Sequence, residues 1–276
     1  MPLLISSSIV AVGDLPNVHA VVRDGVTYSL PRTLDFVPAQ VEWNVPTWQR
    51  PEREGLGVLP QAAKLAGRLA HISGTLQFGS LAAAREELAR LVHILSGDEI
   101  LVYPRDTRDR YMRAVLTDWR ADADVGGLLY RVEAQMLCPR GLWEAAVEST
   151  AQATLSQSGS VDFTVTVGGQ WRVYPTVEFA AVGGSVTDPS LAVVGTDRVA
   201  QYLGTLQAGQ TVRWVPEVPA VILLPNTRVT DKANDEWLDP SRRLWLPPGP
   251  VTLRLAATLA AGATVTATLR WVPLWP

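Results

Sequence analysis

The side chains in this chain that could do nucleophilic, acid–base or metal chemistry are few: three histidines, one cysteine and scattered serines and carboxylates. His19 and His71 fall in segments of strand-like alternation, and His93 lies beside the apolar stripe of a helical segment. None has a second histidine or a carboxylate at the spacing of a helical HExxH ligand set, so no metal site is predicted. Ser73 and Ser96 each precede a glycine, but neither context is the sharp GxSxG turn that exposes a nucleophile. Gly168–Gly169 and Gly183–Gly184 lie between strands and lead into no helix, so they read as turns and not as phosphate cradles. The carboxylate pairs Glu86/Glu87 and Asp235/Glu236 would have to face each other across a cleft to cleave a glycosidic bond; a solvated surface accounts for them more simply. Cys138, between Leu137 and Pro139, has no intrachain partner for a disulfide and reads as a small buried apolar residue. The expectation is therefore a protein with no catalytic, cofactor-binding or metal-binding residues, hence with no cofactor and no enzymatic activity.

Recognition of another macromolecule is better supplied. Ten tryptophans exceed the six tyrosines and four phenylalanines. Trp43 and Trp48 flank Pro46 in a Pro-, Gly-, Arg- and Glu-rich stretch, residues 44–60, with Arg50 and Arg53 beside them. That stretch is too polar and too punctuated to be core, and long loops inside compact domains are usually functional. Tryptophan and arginine dominate binding hot spots, so Trp43, Trp48, Arg50 and Arg53 are the candidate interface residues. Trp171, Trp214, Trp237, Trp245, Trp271 and Trp275, in the second half, read mostly as packing residues, though tryptophans also serve as sugar platforms.

The bulk numbers restrict what such an interface could bind. Net charge is −3 and no Lys/Arg run occurs, so the footprint of a protein that grips phosphates is missing. With 47% hydrophobic and 18% charged residues the chain has the composition of a globular protein, and 276 residues suffice for two domains. The apolar start lacks a basic region and is broken by serines, which makes a poor signal peptide, and no apolar run approaches a bilayer span. Lysine occurs only at Lys64 and Lys232, so nearly all positive charge is arginine.

Periodicity places these residues on a mainly β framework. Strands are predicted at 5–12, 18–28, 34–43 (broken at Pro38) and 68–78, where Ala70, Ile72, Gly74, Leu76 and Phe78 share one face. Ser80 fits an N-cap, and Leu81, Ala84, Leu88, Leu91, Val92 and Leu95 recur at helical spacing behind it, over about 80–96. Gly97 is expected to end that helix in the left-handed conformation. Strands at 99–104, 111–119 and 128–138 complete a β-rich half with one helix packed on a sheet. Around 139–158 the composition shifts to Ala, Ser, Thr and Gln, and no convincing helix follows. Short strands at 161–167, 172–181, 191–194, 198–203, 211–215, 220–224, 243–246, 251–257 and 264–272 alternate with turn residues, the pattern of a β-sandwich or jelly roll. The predicted division is 1–146, a β domain with one helix, and 147–276, a sandwich.

The order of these elements resembles a known family. GRLAHISGTLQFG runs into the helix SLAAAREELARLVHILSG, then through EILVYPRDTRDRYMRAVLTDW to LLYRVEAQMLCPRGLWEA. This is similar to the N-terminal ring domain of the distal tail proteins of siphophages, the long-tailed bacteriophages. VYPTVEF, LWLPPGPVTLRL and the closing TVTATLRWVPLWP resemble that family's galectin-like sandwich. The Ser-rich ISSSIVAVGD start and the Pro/Arg-rich 44–60 segment depart from the family pattern. The resemblance implies an architectural protein of the virion tail tip: six copies in a ring, joining the tail tube protein to the tail-tip hub. It also implies peripheral receptor-binding proteins, a channel through which DNA passes without specific binding, and no membrane partner. A carbohydrate-binding sandwich with an appended domain is the alternative, and a β-rich hydrolase a more distant one.

Overall fold

The structure, a computed structural model, describes residues 18–39, 67–124, 126–215, 220–224, 228–229 and 244–276. The chain is mainly β, and it divides into two compact units, Met1–Ala146 and Val147–Trp275.

The first unit contains β1 (Ala20–Arg23), β2 (Val26–Ser29), β3 (Leu34–Pro38), β4 (Arg68–Gln77), helix α1 (Leu81–Leu95), β5 (Ile100–Tyr103), β6 (Arg110–Ala123), β7 (Leu129–Cys138) and β8 (Trp143–Ala145). The strands pair antiparallel in the order β2-β1-β5-β6-β7-β4-β3, with β8 on the start of β6. The segment 18–28, expected as one strand, is a hairpin. Asp24 (φ 51°) and Gly25 (φ 76°) are both left-handed, the requirement of a two-residue turn whose twist matches the flanking strands. The long central strands follow the alternation of their sequences: Ala70, Ile72 and Leu76 of β4 and Val132, Ala134, Met136 and Cys138 of β7 are all buried. Gly74 holds a place in β4 that no other residue could take, because a Cβ there would lie 2.0 Å from the Thr33 carbonyl oxygen.

Helix α1 closes one face of this sheet. Ser80 caps it, its Oγ accepting from the Ala83 N–H at 3.1 Å. The buried face is Ala84, Leu91, Ile94 and Leu95, packed among Ile72, Ile100, Val102, Met112, Val132 and Met136. Two expectations are corrected. Leu81 lies in the first turn, beyond the sheet, and is 52% exposed, while Ile94 joins the core. The helix ends at Ser96 (φ −85°, ψ 84°), whose N–H bonds the Val92 carbonyl; Gly97 is not left-handed, because its N–H closes a short turn onto Leu95 and the chain runs on into β5.

The second unit has two antiparallel sheets. One runs β10 (Gly159–Val167), β18 (Gly249–Leu259), β12 (Val186–Val193), β13 (Val199–Gln201), with β14 (Thr205–Leu206) also on β12. The other runs β17 (Arg228–Val229), β16 (Ala220–Leu224), β15 (Thr211–Val215), β11 (Thr176–Val182), β19 (Thr264–Trp271), β9 (Ser149–Leu155). Val165, Val186, Leu191, Leu253 and Leu255 from the first and Val177, Phe179, Val265, Ala267 and Leu269 from the second share one core, which makes the unit a β-sandwich. Strand β9 falls outside the expected strands; Ala151, Ala153 and Leu155 alternate toward the core, but with mostly small side chains the signal is faint. In place of the expected strand at 243–246, the described residues there show a single bridge, Leu246 with Val173.

Because Leu91 is fully buried where α1 meets the sheet, Leu91→Ala should destabilise the first unit by about 2–5 kcal/mol. Urea denaturation checks this; a loss well under 1 kcal/mol would mean that the helix does not carry the core.

Candidate assembly surface

Among the described residues the three histidines and the cysteine stand apart from one another. His19 is buried at the start of β1, His71 is on the exposed face of β4, and His93 is on α1, its Nδ1 3.5 Å from Arg23. Among the described residues no group of three His, Cys, Asp or Glu side chains could hold a metal ion. Glu87 is spent on Arg90, with Nη2–Oε1 at 2.5 Å. Gly169 and Gly183 are left-handed turn residues. Cys138 is fully buried, and burial pushes its thiol up to about 11 against the opposing charge of Arg68, so it is an unreactive core residue. Trp43, Trp48, Arg50 and Arg53, together with Trp237 and the Asp235/Glu236 pair, lie outside the described residues.

What the first unit does bring together is charge that holds strands. Glu144 of β8 is buried, with its side chain 1% exposed. Arg113 Nε of β6 donates to its two oxygens at 3.0 and 3.1 Å, and Arg140 Nη1 donates at 3.1 Å. Arg113 reaches on to Glu99 at 3.0 Å and to the Tyr111 hydroxyl at 3.3 Å. Burial opposes the charge on Arg113, but Glu144, Tyr111 and Glu99 outweigh it and raise the guanidinium pKa. Burial, reinforced by the Glu144 charge, raises that of Tyr111. A second cluster joins β1 to β3: His19 Nε2 lies 2.8 Å from Asp35 Oδ1 and Nδ1 lies 3.3 Å from the Tyr103 carbonyl. The hydrogen bond from His19, with the Arg105 charge, holds the Asp35 carboxyl below the usual range in spite of its partial desolvation. Apart from Arg140 and Glu144, four residues apart, and Tyr111 and Arg113, two apart on one strand, these partners are far apart in sequence, so pattern reading could not bring the clusters together.

Arginines also fasten the loops around the sheet by their backbone carbonyls. Arg105 donates to Arg32 O at 2.8 Å and Leu34 O at 2.5 Å; Arg108 donates to Val18 O at 2.6 Å and to Pro104 O; Arg68 donates to Ala39 O. With the loops tied down, the sheet face opposite the helix is left to solvent. Its two ends differ. Toward one end Leu69 pairs with Leu137, which pairs with Val115, and Val37 stands one position along opposite His71. Leu69, Leu137 and Val37 are 43%, 37% and 53% exposed. Toward the other end Glu133 faces Arg120 and Arg131 faces Asp122, a lattice of alternating charge. Contiguous aliphatic side chains in cross-strand register on an exposed sheet make this end a candidate interaction surface.

No protein-family model matches this chain, and no curated protein matches it. Solved structures do. The Dit protein of phage SPP1, described as a paradigm of the hub adsorption apparatus in phages infecting Gram-positive hosts, aligns over 94% of this chain and 100% of its own, with a TM-score of 0.63 at 15% identity. Two structures of the phage P2 baseplate in its activated conformation, with calcium and with strontium, align over 91% of this chain and 97% of theirs, at 9% identity and a TM-score of 0.42. At 15% identity the likeness to SPP1 Dit is one of fold.

Removing the Glu144 carboxylate takes hydrogen bonds from Arg113 and Arg140, both of which still reach solvent, so Glu144→Ala should cost about 1–3 kcal/mol in chemical denaturation. An effect within the scatter of surface substitutions would show that the cluster does not hold β8 to β6. Asp35, with its folded pKa depressed, contributes stability above its unfolded value of about 3.9 and loses it as pH falls through the folded value. Thermal melts of Asp35→Asn should thus fall below those of the native chain near neutrality and converge with them in strong acid. A gap that persists undiminished at low pH would assign the effect to something other than the carboxylate charge.

Proposed function

We propose that this chain is a structural protein of a phage tail tip, a distal tail protein whose copies form a ring between tail tube and tail-tip hub. The observation that carries the reading is the fold shared with SPP1 Dit, which extends over nearly all of both chains. The element order read from the sequence points the same way independently. The ring has six copies, the sandwich is galectin-like, and the ring faces the tube protein on one side and the hub on the other. Receptor-binding proteins attach at its periphery. DNA slides through a central channel, to which a chain of net charge −3 without a basic run offers little to grip.

The outward face of β4, β7 and β3 supports assembly. A closed ring uses heterologous contacts, in which one patch meets a different patch on the neighbour. The Leu69–Leu137–Val37 patch supplies one of the two. Trp43, Trp48, Arg50 and Arg53 are proposed to contribute to intersubunit or partner contacts, on their composition and clustering alone. The carbohydrate-binding alternative needs free aromatic platforms, whereas Trp271 is in the sandwich core and the ring of Trp245 carries the Arg198 guanidinium at 3.2 Å.

Light scattering and negative-stain imaging of the purified full chain test the ring. The expected particle is a closed hexamer with a central hole. Leu69→Asp together with Leu137→Asp should convert it to folded monomers, because both side chains are already at the surface and the substitutions add charge only to the contact. A chain that stays monomeric at high concentration, both alone and with the tube protein, would overturn the ring.

A further inference from the structure

The second unit carries an aromatic and cationic surface that its own fold does not use. Val173 and Leu246 exchange two backbone hydrogen bonds, at 3.0 and 2.9 Å, and both side chains are in the core. Alternation about that pair turns Arg172, Tyr174 and Trp245 away from the core. The Arg172 guanidinium stands 5.8 Å from the centre of the Tyr174 ring and 5.7 Å from that of Trp245. Arg198 comes from the β12–β13 hairpin and lies over the same indole at 3.2 Å. Its approach is fixed by the turn: the Val193 N–H bonds the Arg198 carbonyl, the Arg198 N–H bonds Thr196 Oγ1, and that hydroxyl bonds the Val193 carbonyl. Tyr174, 39% exposed, borders the stack.

The charge balance here is unlike the rest of the unit. Arg213 and Arg270 share Glu178, and Arg254 holds Asp162 through two bonds at 2.7 and 2.8 Å. Arg172 and Arg198 have no carboxylate within 4 Å among the described residues, although Asp197 is adjacent in sequence. Stacking orders a guanidinium without consuming its N–H donors, which stay at the rim of the plane. Two guanidiniums thus lie against one indole, with no carboxylate partner among the described residues. An acidic group that meets them would find charge already gathered, at little further ordering cost.

We propose that Arg172, Arg198, Trp245 and Tyr174 form a docking site for an acidic segment of a partner protein, its carboxylates pairing with the two guanidiniums and an adjacent apolar side chain resting on Tyr174. The mixture of tryptophan, tyrosine and arginine is that of a protein–protein hot spot, and the aromatic border distinguishes it from a site for a bare anion. The inference stands on the second unit alone and holds whether or not the chain closes into a ring.

The test is fluorescence anisotropy of a labelled peptide of alternating glutamate and leucine, titrated with the full chain at low salt, with a glutamine–leucine peptide as control. The acidic peptide should bind, weaken with salt, and lose at least tenfold in affinity with Arg172→Gln and Arg198→Gln together. The Arg172→Lys, Arg198→Lys pair, which keeps the charge and loses the fork, should fall between. It also decides the matter if the glutamine pair melts early. No binding of the acidic peptide, equal binding of the neutral one, or affinity unchanged in both double variants would overturn the site. Tighter, arginine-dependent binding of a sulfated polysaccharide would overturn its assignment to a protein partner.

Discussion

In the first unit one strand must serve two neighbours, and the rest of the unit is arranged around that requirement. The start of β6 pairs with β5, from Ile100 opposite Ala114, while its remainder from Val115 to Ala123 pairs with β7. Strand β6 is 14 residues long and lies between β5 and β7, and its ladder with β7 is not regular throughout. The ladder shifts between Leu116 and Asp118, and Thr117 bonds the Gln135 carbonyl through its hydroxyl at 3.0 Å. Where β6 begins, the Glu144 cluster ties it to β8, and Arg113 extends the tie to Glu99 just before β5. A buried carboxylate with two arginines is a costly way to gain stability, since an apolar replacement of the whole cluster would serve as well. Its effect here is positional: charge partners at fixed distances admit one register, and a register slip would bury them unpaired.

The arginine bias of the sequence acquires a physical reading from these contacts. Lysine could neutralise Glu144 or Asp162, but it could not span two acceptors from one rigid plane. Arg105 bonds two carbonyls two residues apart, Arg108 joins residues 18 and 104, and Arg254 grips both oxygens of Asp162. Loops whose carbonyls have no strand partner must satisfy them somehow when they pack against a sheet. In this chain planar forks meet that need. Arg172 and Arg198, set against an aromatic ring with no carboxylate partner among the described residues, differ from the arginines around them.

Much of the framework was legible because burial on one side writes a period into a strand or helix. The strands at 68–77 and 129–138 and the capped helix from Leu81 stand where alternation and helical spacing put them. The hairpin at Asp24–Gly25 was signalled by its dipeptide but masked by the apolar run through it. Strand β9 does alternate, with Ala151, Ala153 and Leu155 turned to the core, but an edge strand of mostly small residues writes its period faintly. The polar clusters were not legible at all. Glu144 meets Arg113 across 31 residues, and the stack on Trp245 depends on the pairing of Val173 with Leu246. Such meetings are set by register, which a single sequence does not display.

That difference also explains how a fold can outlast its sequence. Inward positions of a sheet ask only for apolar volume in alternation, so a core tolerates wide substitution while element order and strand length persist. Outward positions answer to partners. In the first unit they separate into an aliphatic end around Leu69 and Leu137 and a charged end around Arg131 and Glu133. A sheet face built only for solvent has no reason to segregate, because scattered charge keeps it soluble at no cost in packing. Segregation gives the face a direction, which the proposed head-to-tail ring would use.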